Sequence, residues 1–247
     1  MTVTEWHLVW YALGIFAAAA LGGVLPLLRE WRSNQLHLFV AFGAGVFLGA
    51  VFIHMLPEVD RRSPGLANGM VLVGFLVLLL LERVLLHRHS LDCGEGCPHR
   101  HKILGITSFV GLSVHSLTAG FSLGVALLTP GLAAIIFVAI IAHKATAAFS
   151  LSTIFVLAGF RPAAVLAMLG IFALMTPLGA LISIPLIHVM KEISVSVPTA
   201  LAAGTFLYVA TMDLLPESFH DGEGRLLPFM IIILGVAAMY AIGRFGL

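Results

Sequence analysis

Eight apolar stretches, near residues 6–28, 36–56, 67–86, 103–128, 131–158, 163–188, 197–216 and 226–245, constrain this chain more than any motif does. A helix needs about 20 apolar residues, each rising 1.5 Å, to cross roughly 30 Å of hydrocarbon. All eight are long enough. With 60% of its residues hydrophobic and only 10% charged, the chain lies outside the range of soluble globular domains. The expected fold class is an all-α integral membrane protein, a single transmembrane domain over residues 1–247. Connections are short apart from residues 87–102, which leaves no room for a soluble domain.

The first apolar run lacks a basic leading region and a small-residue cleavage site, so it reads as a retained span, with the mature chain starting at Met1. Trp6, Trp10 and Trp31 stand where interfacial anchors would, and Ala17 to Ala20, Gly22 and Gly23 allow close helix approach. Segments after the odd-numbered spans carry Arg29, Arg32, Arg83, Arg88, Arg100, Lys102, Arg161 and Arg225. The opposite side carries only Arg61, Arg62, Lys191 and Arg244. By the positive-inside rule both termini face outward and residues 87–102 face the cytosol. A formal net charge of +1 gives no ground for a nucleic-acid partner; the lipid bilayer is the partner expected.

The second and seventh spans resemble one another. GVFLGAVFIHMLPE, from Gly45 to Glu58, matches GTFLYVATMDLLPE, from Gly204 to Glu217, without a gap at Gly45/Gly204, Phe47/Phe206, Leu48/Leu207, Leu56/Leu215, Pro57/Pro216 and Glu58/Glu217. Five crossings separate them, so they run in opposite directions. That is the pattern of an inverted-topology repeat, whose substrate site lies near the midplane. At helical spacing Phe47, Ala50, His54 and Glu58 share one face. His54 and Glu58 then mark the outer end of a path, and Asp213 and Glu217 the inner end; polar capping of span ends is the plainer reading.

HRHSLDCGEGCPHRH, between the third and fourth spans, holds His87, His89, Cys93, Cys97, His99 and His101. These are soft and borderline donors suited to zinc or copper(I), though not at zinc-finger spacing. Thiols on the cytosolic side stay reduced, which favours metal binding over a disulfide.

Histidine and lysine also occur inside the hydrocarbon. The fourth span reads HSLTAG from His115 to Gly120, and the fifth reads HKATAAFSL from His143 to Leu151. The spans are antiparallel, so His115 and His143 reach similar depth, beside Ser116, Thr118, Thr146 and Lys144. A mid-span lysine costs roughly 2.5 to 3.5 kcal/mol even on lenient scales, and neutral imidazole is the commonest ligand for zinc. A metal site at His115 and His143 accounts for both histidines. Pro177 and Pro185 are expected to interrupt the sixth span.

Together these segments resemble the ZIP (Zrt-, Irt-like) family of divalent metal transporters, over nearly the whole chain. GTFLYVATMDLLPE with HKATAAFSL carries the resemblance. It implies eight transmembrane helices in a 3+2+3 arrangement, a homodimer, and movement of zinc, iron or manganese into the cytosol by alternating access, in the cell (inner) membrane. The metal is cargo, and no resident cofactor is expected. The family's central positions fall on His115, Ser116, Ala119, His143, Lys144 and Ala147. Many relatives have carboxylates at the positions of Ala119 and Ala147, and Lys144 stands where a second-site ligand would be. A +2 ion about 7 Å from a +1 ammonium is repelled by roughly 5 kcal/mol at an effective dielectric near 20. Weak metal binding follows, with zinc the foremost cargo. A transport-degenerate relative that senses or binds metal is the alternative. An enzyme is not expected, because no H-E-x-x-H or other general-base arrangement accompanies the histidines.

Overall fold

The computed structural model describes residues 3–28, 31–81, 98–127, 132–189, 196–219 and 225–246. Among these residues the secondary structure is helical throughout: α1 (Val3–Val24), α2 (Ser33–Gly49), α3 (Leu56–Arg62), α4 (Leu66–Leu80), α5 (Pro98–Ala126), α6 (Leu132–Leu157), α7 (Pro162–Val189), α8 (Ser196–Tyr208), α9 (Leu215–Ser218) and α10 (Leu226–Gly246). Six segments are long and apolar enough to cross a membrane, and the apolar helices Asn68–Leu80 and Leu226–Ile242 are shorter. Every backbone polar group in hydrocarbon needs a partner within its own segment, and a helix supplies one. Gly65 (φ 81°) turns the chain between α3 and α4, and Gly159 (φ 69°) ends α6; both angles suit a residue without Cβ.

Two groups of helices pack side by side. One is α1, α5, α6 and α7; the other is α2, α4, α8 and α10, and they meet where α5 lies on α8 and α6 on α2. Small residues allow the close approaches. Gly22 of α1 packs on the backbone of Ala145 in α6, and Gly179 of α7 packs on that of Leu117 in α5. Gly74 of α4 meets Leu201 of α8 in the manner that Gly235 of α10 meets Phe42 of α2. A Cβ at any of these glycines would overlap a carbonyl oxygen.

Two departures from regular helix matter for function. α2 continues into α3 through a π-helical turn, Ala50–Met55, and α8 continues into α9 through another, Val209–Leu214. Each precedes the proline of its LLPE or MLPE segment. Pro57 and Pro216 have no N–H for the preceding turn and their rings crowd it, so the chain widens by one residue. Accordingly Leu56 N–H donates to Val51 O, and Leu215 N–H donates to Ala210 O. The widening breaks the single face expected for Phe47, Ala50, His54 and Glu58. Ala50 is buried inside the bundle, whereas His54 and Glu58 turn to a cavity. The sixth span also differs from expectation: α7 runs without interruption through Pro177 and Pro185.

Candidate metal pathway

A cavity of about 120 Å³ opens between the two helix groups. One wall is the π turn and α3, with His54, Met55, Glu58 and Arg61; the facing wall is Ala119 and Ser122 of α5 with Ile136, Ile140 and His143 of α6. Thr199 and Ala202 of α8 complete it. Glu58 accepts a hydrogen bond from Arg61 Nη2 at 2.7 Å at the rim, and Thr199 Oγ1 donates to Ser122 Oγ at 3.2 Å. Ala119 therefore shares a wall with His143, although i,i+4 spacing on α5 pairs it with His115.

His115 is set deeper than this wall. Its ring lies 5.6 Å from that of His143, centroid to centroid, at 64°. Phe206 supports both: it stacks on His115 at 3.9 Å and 11° and lies 4.9 Å from His143. Phe206 in turn stacks on Phe47 at 4.0 Å and 20°, so the two phenylalanines that match in the second and seventh spans meet in the centre of the protein. His115 Nδ1 donates to the carbonyl oxygen of Ala202 at 2.8 Å. A carbonyl only accepts, so the proton is on Nδ1 and the lone pair is on Nε2. That Nε2 is buried and has no hydrogen-bond partner. A backbone acceptor fixing one ring nitrogen while the other is left without a hydrogen bond is the arrangement that prepares an imidazole to bind a metal.

Ser116 and Lys144, expected beside the histidines, bond to each other. Lys144 Nζ donates to Ser116 Oγ at 2.8 Å, Thr176 Oγ1 at 3.0 Å and Phe172 O at 3.3 Å, and lies 3.7 Å from the centre of the Phe172 ring. One ammonium thus joins α5, α6 and α7. Thr118 Oγ1 donates to the carbonyls of Val114 and His115 within its own helix.

Asp213 lies in the π turn after α8, and Glu217 in α9. Ser108 Oγ of α5 donates to Asp213 Oδ2 at 2.8 Å, and both residues are buried. His37 Nδ1 donates to Glu217 O at 3.0 Å, with the Glu217 carboxylate 3.6 Å away. Among the described residues no three His, Cys, Asp or Glu side chains converge on one point that could hold a metal ion. Of the loop donors, His87, His89, Cys93 and Cys97 lie outside the described residues, and His99 and His101 fall in the first turns of α5.

The packing draws out a second internal match. HSLTAGFSL, His115 to Leu123, and HKATAAFSL, His143 to Leu151, agree at six of nine positions: His, Thr, Ala, Phe, Ser and Leu. The match pairs Ser122 with Ser150 and Ala119 with Ala147. It also pairs Ser108 and Leu112 of α5, two turns and one turn before His115, with Ile136 and Ile140 of α6.

Comparison with known proteins agrees with this architecture. The family model described as ZIP Zinc transporter matches residues 7–96 and 85–243. The chain is 25% identical to "Zinc transporter ZIP1" of Takifugu rubripes, over 95% of this chain and 96% of that protein. It is 29% identical to "Zinc transporter ZIP9-B" of Xenopus laevis, over 83% of each, and 30% identical to "Zinc transporter 9" of Oryza sativa subsp. japonica, over 92% of this chain and 83% of that one.

Proposed function

Because this chain belongs to the ZIP zinc transporter family, we propose that it is a multi-pass membrane transporter of a divalent metal, zinc foremost, moving its cargo through a site between α5 and α6. His115 carries the reading: its Nδ1 is committed to Ala202 O, its buried Nε2 has no hydrogen-bond partner, and the His143 ring lies 5.6 Å away, centroid to centroid. An unpaired buried polar nitrogen costs about 1 to 3 kcal/mol, and a transiently bound metal ion repays that cost. Metal enters past Glu58 and His54, rests between the imidazoles of His143 and His115 with water and hydroxyl oxygens completing its shell, and leaves toward Asp213 and Glu217. With few anionic ligands the dwell is short, which suits a carrier more than a store.

The matched π turns, the paired glycine contacts and the Phe47–Phe206 stack support an inverted repeat relating α1, α2, α4 and α5 to α7, α8, α10 and α6. The distribution of arginine and lysine supports inward transport, with the His54–Glu58 end outside. The homodimer implied by the family resemblance belongs to the same proposal.

Purified protein in liposomes tests the reading, with zinc, manganese, cadmium and iron compared; zinc entry above empty vesicles is expected. A second reading is a transport-degenerate relative that senses or binds metal without moving it. Saturable zinc binding with no entry under any gradient would select it. Orientation is tested by single cysteines replacing Arg62 and Ser90 in a background lacking Cys93 and Cys97: Arg62→Cys should label from outside intact cells and Ser90→Cys should not.

A further inference from the structure

The internal matches allow the two ends of the path to be compared residue by residue, and the ends differ. In the repeat His54 corresponds to Asp213, Ala202 to Gly43, Ile136 to Ser108 and Ser122 to Ser150. At the first end all four of these positions line the open cavity. At the second end the corresponding pairs touch. Ser108 Oγ donates to Asp213 Oδ2 at 2.8 Å, and Gly43 lies so close to Ser150 Oγ that a Cβ there would overlap it. Both contacts cross the seam between the helix groups, one from α5 to the π turn after α8 and one from α6 to α2. Ser108, Asp213 and Ser150 are buried, at 0%, 3% and 0% exposed.

We propose that the Ser108–Asp213 hydrogen bond, backed by the Gly43–Ser150 contact, is the latch that holds the second end of the metal path shut while the first end is open. The inference rests on the transport reading above and adds Ser108 to it as the positioning residue for Asp213. When the helix groups move, Ile136 closes on His54 and the latch parts. The Asp213 carboxylate then exchanges the Ser108 hydroxyl for the departing metal. A carboxylate that binds a hydroxyl in one state and the metal in the other keeps a buried negative charge satisfied throughout. Gly43 has no Cβ, and with one the contact on Ser150 at the closed end would not form.

The latch is tested by thiol labelling in a Cys93→Ser/Cys97→Ser background. Leu112 and Ile140 correspond in the α5–α6 match; Leu112 is fully buried, and Ile140 lines the cavity. With Ser108 intact, Ile140→Cys should react with N-ethylmaleimide and Leu112→Cys should be protected. Ser108→Ala should raise the labelling rate of Leu112→Cys on the order of tenfold, equivalent to about 1.4 kcal/mol. In the doubly substituted protein, prior attachment of a bulky maleimide at Ile140→Cys should suppress that gain, because a wedged first end cannot close. A gain untouched by the wedge is local loosening and overturns the proposal, as does no gain at all. Gly43→Ala, which presses a methyl on Ser150, should act in the same direction, and it serves if Ser108→Ala does not purify as a monodisperse species. Zinc uptake by the wild type is measured in parallel. Uptake without the labelling shift removes the latch and leaves the transport reading standing; the shift without uptake overturns the transport reading and, with it, the latch as part of a metal path.

Discussion

Ala119→Glu should convert a weak metal site into a tight one. Ala119 is 6% exposed and lines the cavity with His143, His54 and Glu58, so a longer side chain has open volume to enter. A carboxylate about 4 Å from a +2 ion gains a gross attraction of roughly 8 kcal/mol at an effective dielectric near 20. Removing it from water in a largely apolar cavity costs several kcal/mol. The net gain should resemble that of a charged hydrogen bond, about 1.5 to 3 kcal/mol, which lowers Kd for zinc roughly tenfold to a hundredfold. Turnover should fall, because a metal held harder leaves more slowly. The measurement is titration calorimetry of the detergent-purified protein, in a double-mutant cycle with His143→Ala. His143 is the partner of choice because it shares the cavity wall with Ala119. If Ala119→Glu leaves Kd unchanged in a monodisperse protein, or if the gain survives His143→Ala in full, the metal does not sit at this wall.

Further expectations follow from contacts elsewhere. The Lys144 ammonium is met by neutral oxygens and a ring, so Lys144→Met should relieve repulsion and tighten zinc binding on the order of tenfold; calorimetry showing weaker binding would contradict this. Phe206→Ala removes the ring stacked on both His115 and Phe47 and should cost about 3 to 5 kcal/mol, read as a lower thermal midpoint. Gly22→Leu drives a side chain into the Ala145 carbonyl and should lower the midpoint through a loss of about 1 to 3 kcal/mol. A synthetic peptide spanning His87 to His101 should bind zinc or copper(I) at neutral pH, and no heat of binding at micromolar zinc would make the segment a linker.

Much of the fold was legible because hydrocarbon is an undemanding solvent to satisfy: eight apolar stretches of sufficient length leave few architectures open. The kinship of GVFL…MLPE with GTFL…LLPE was legible too, since apolar helices rarely repeat a proline and a glutamate in register. The π turns escaped notice because face arithmetic assumes 3.6 residues per turn, and one extra residue before Pro57 or Pro216 rotates everything beyond it. The neighbour that Ala119 meets across α5 was not legible either. Spacing along one helix says which residues share a face but not which neighbour that face meets, and here it meets the cavity beside His143. Lys144 was visible as an anomaly, but Thr176 and Phe172 O, which hold it, belong to another helix with no motif linking them. Ser108 carried no local signal at all. The match of HSLTAGFSL with HKATAAFSL would have found its counterpart, Ile136, had the fourth and fifth spans been aligned with each other.

The central claim, that His115 and His143 together hold the cargo, is tested most directly by zinc-edge X-ray absorption on protein loaded with one equivalent of zinc, with His87, His89, His99 and His101 replaced by serine. Two imidazole nitrogens at about 2.0 Å, with oxygen filling the remaining positions, are predicted, and His115→Ala and His143→Ala should each remove one imidazole from the shell. A zinc shell without imidazole, or one unchanged by either substitution, would contradict the account.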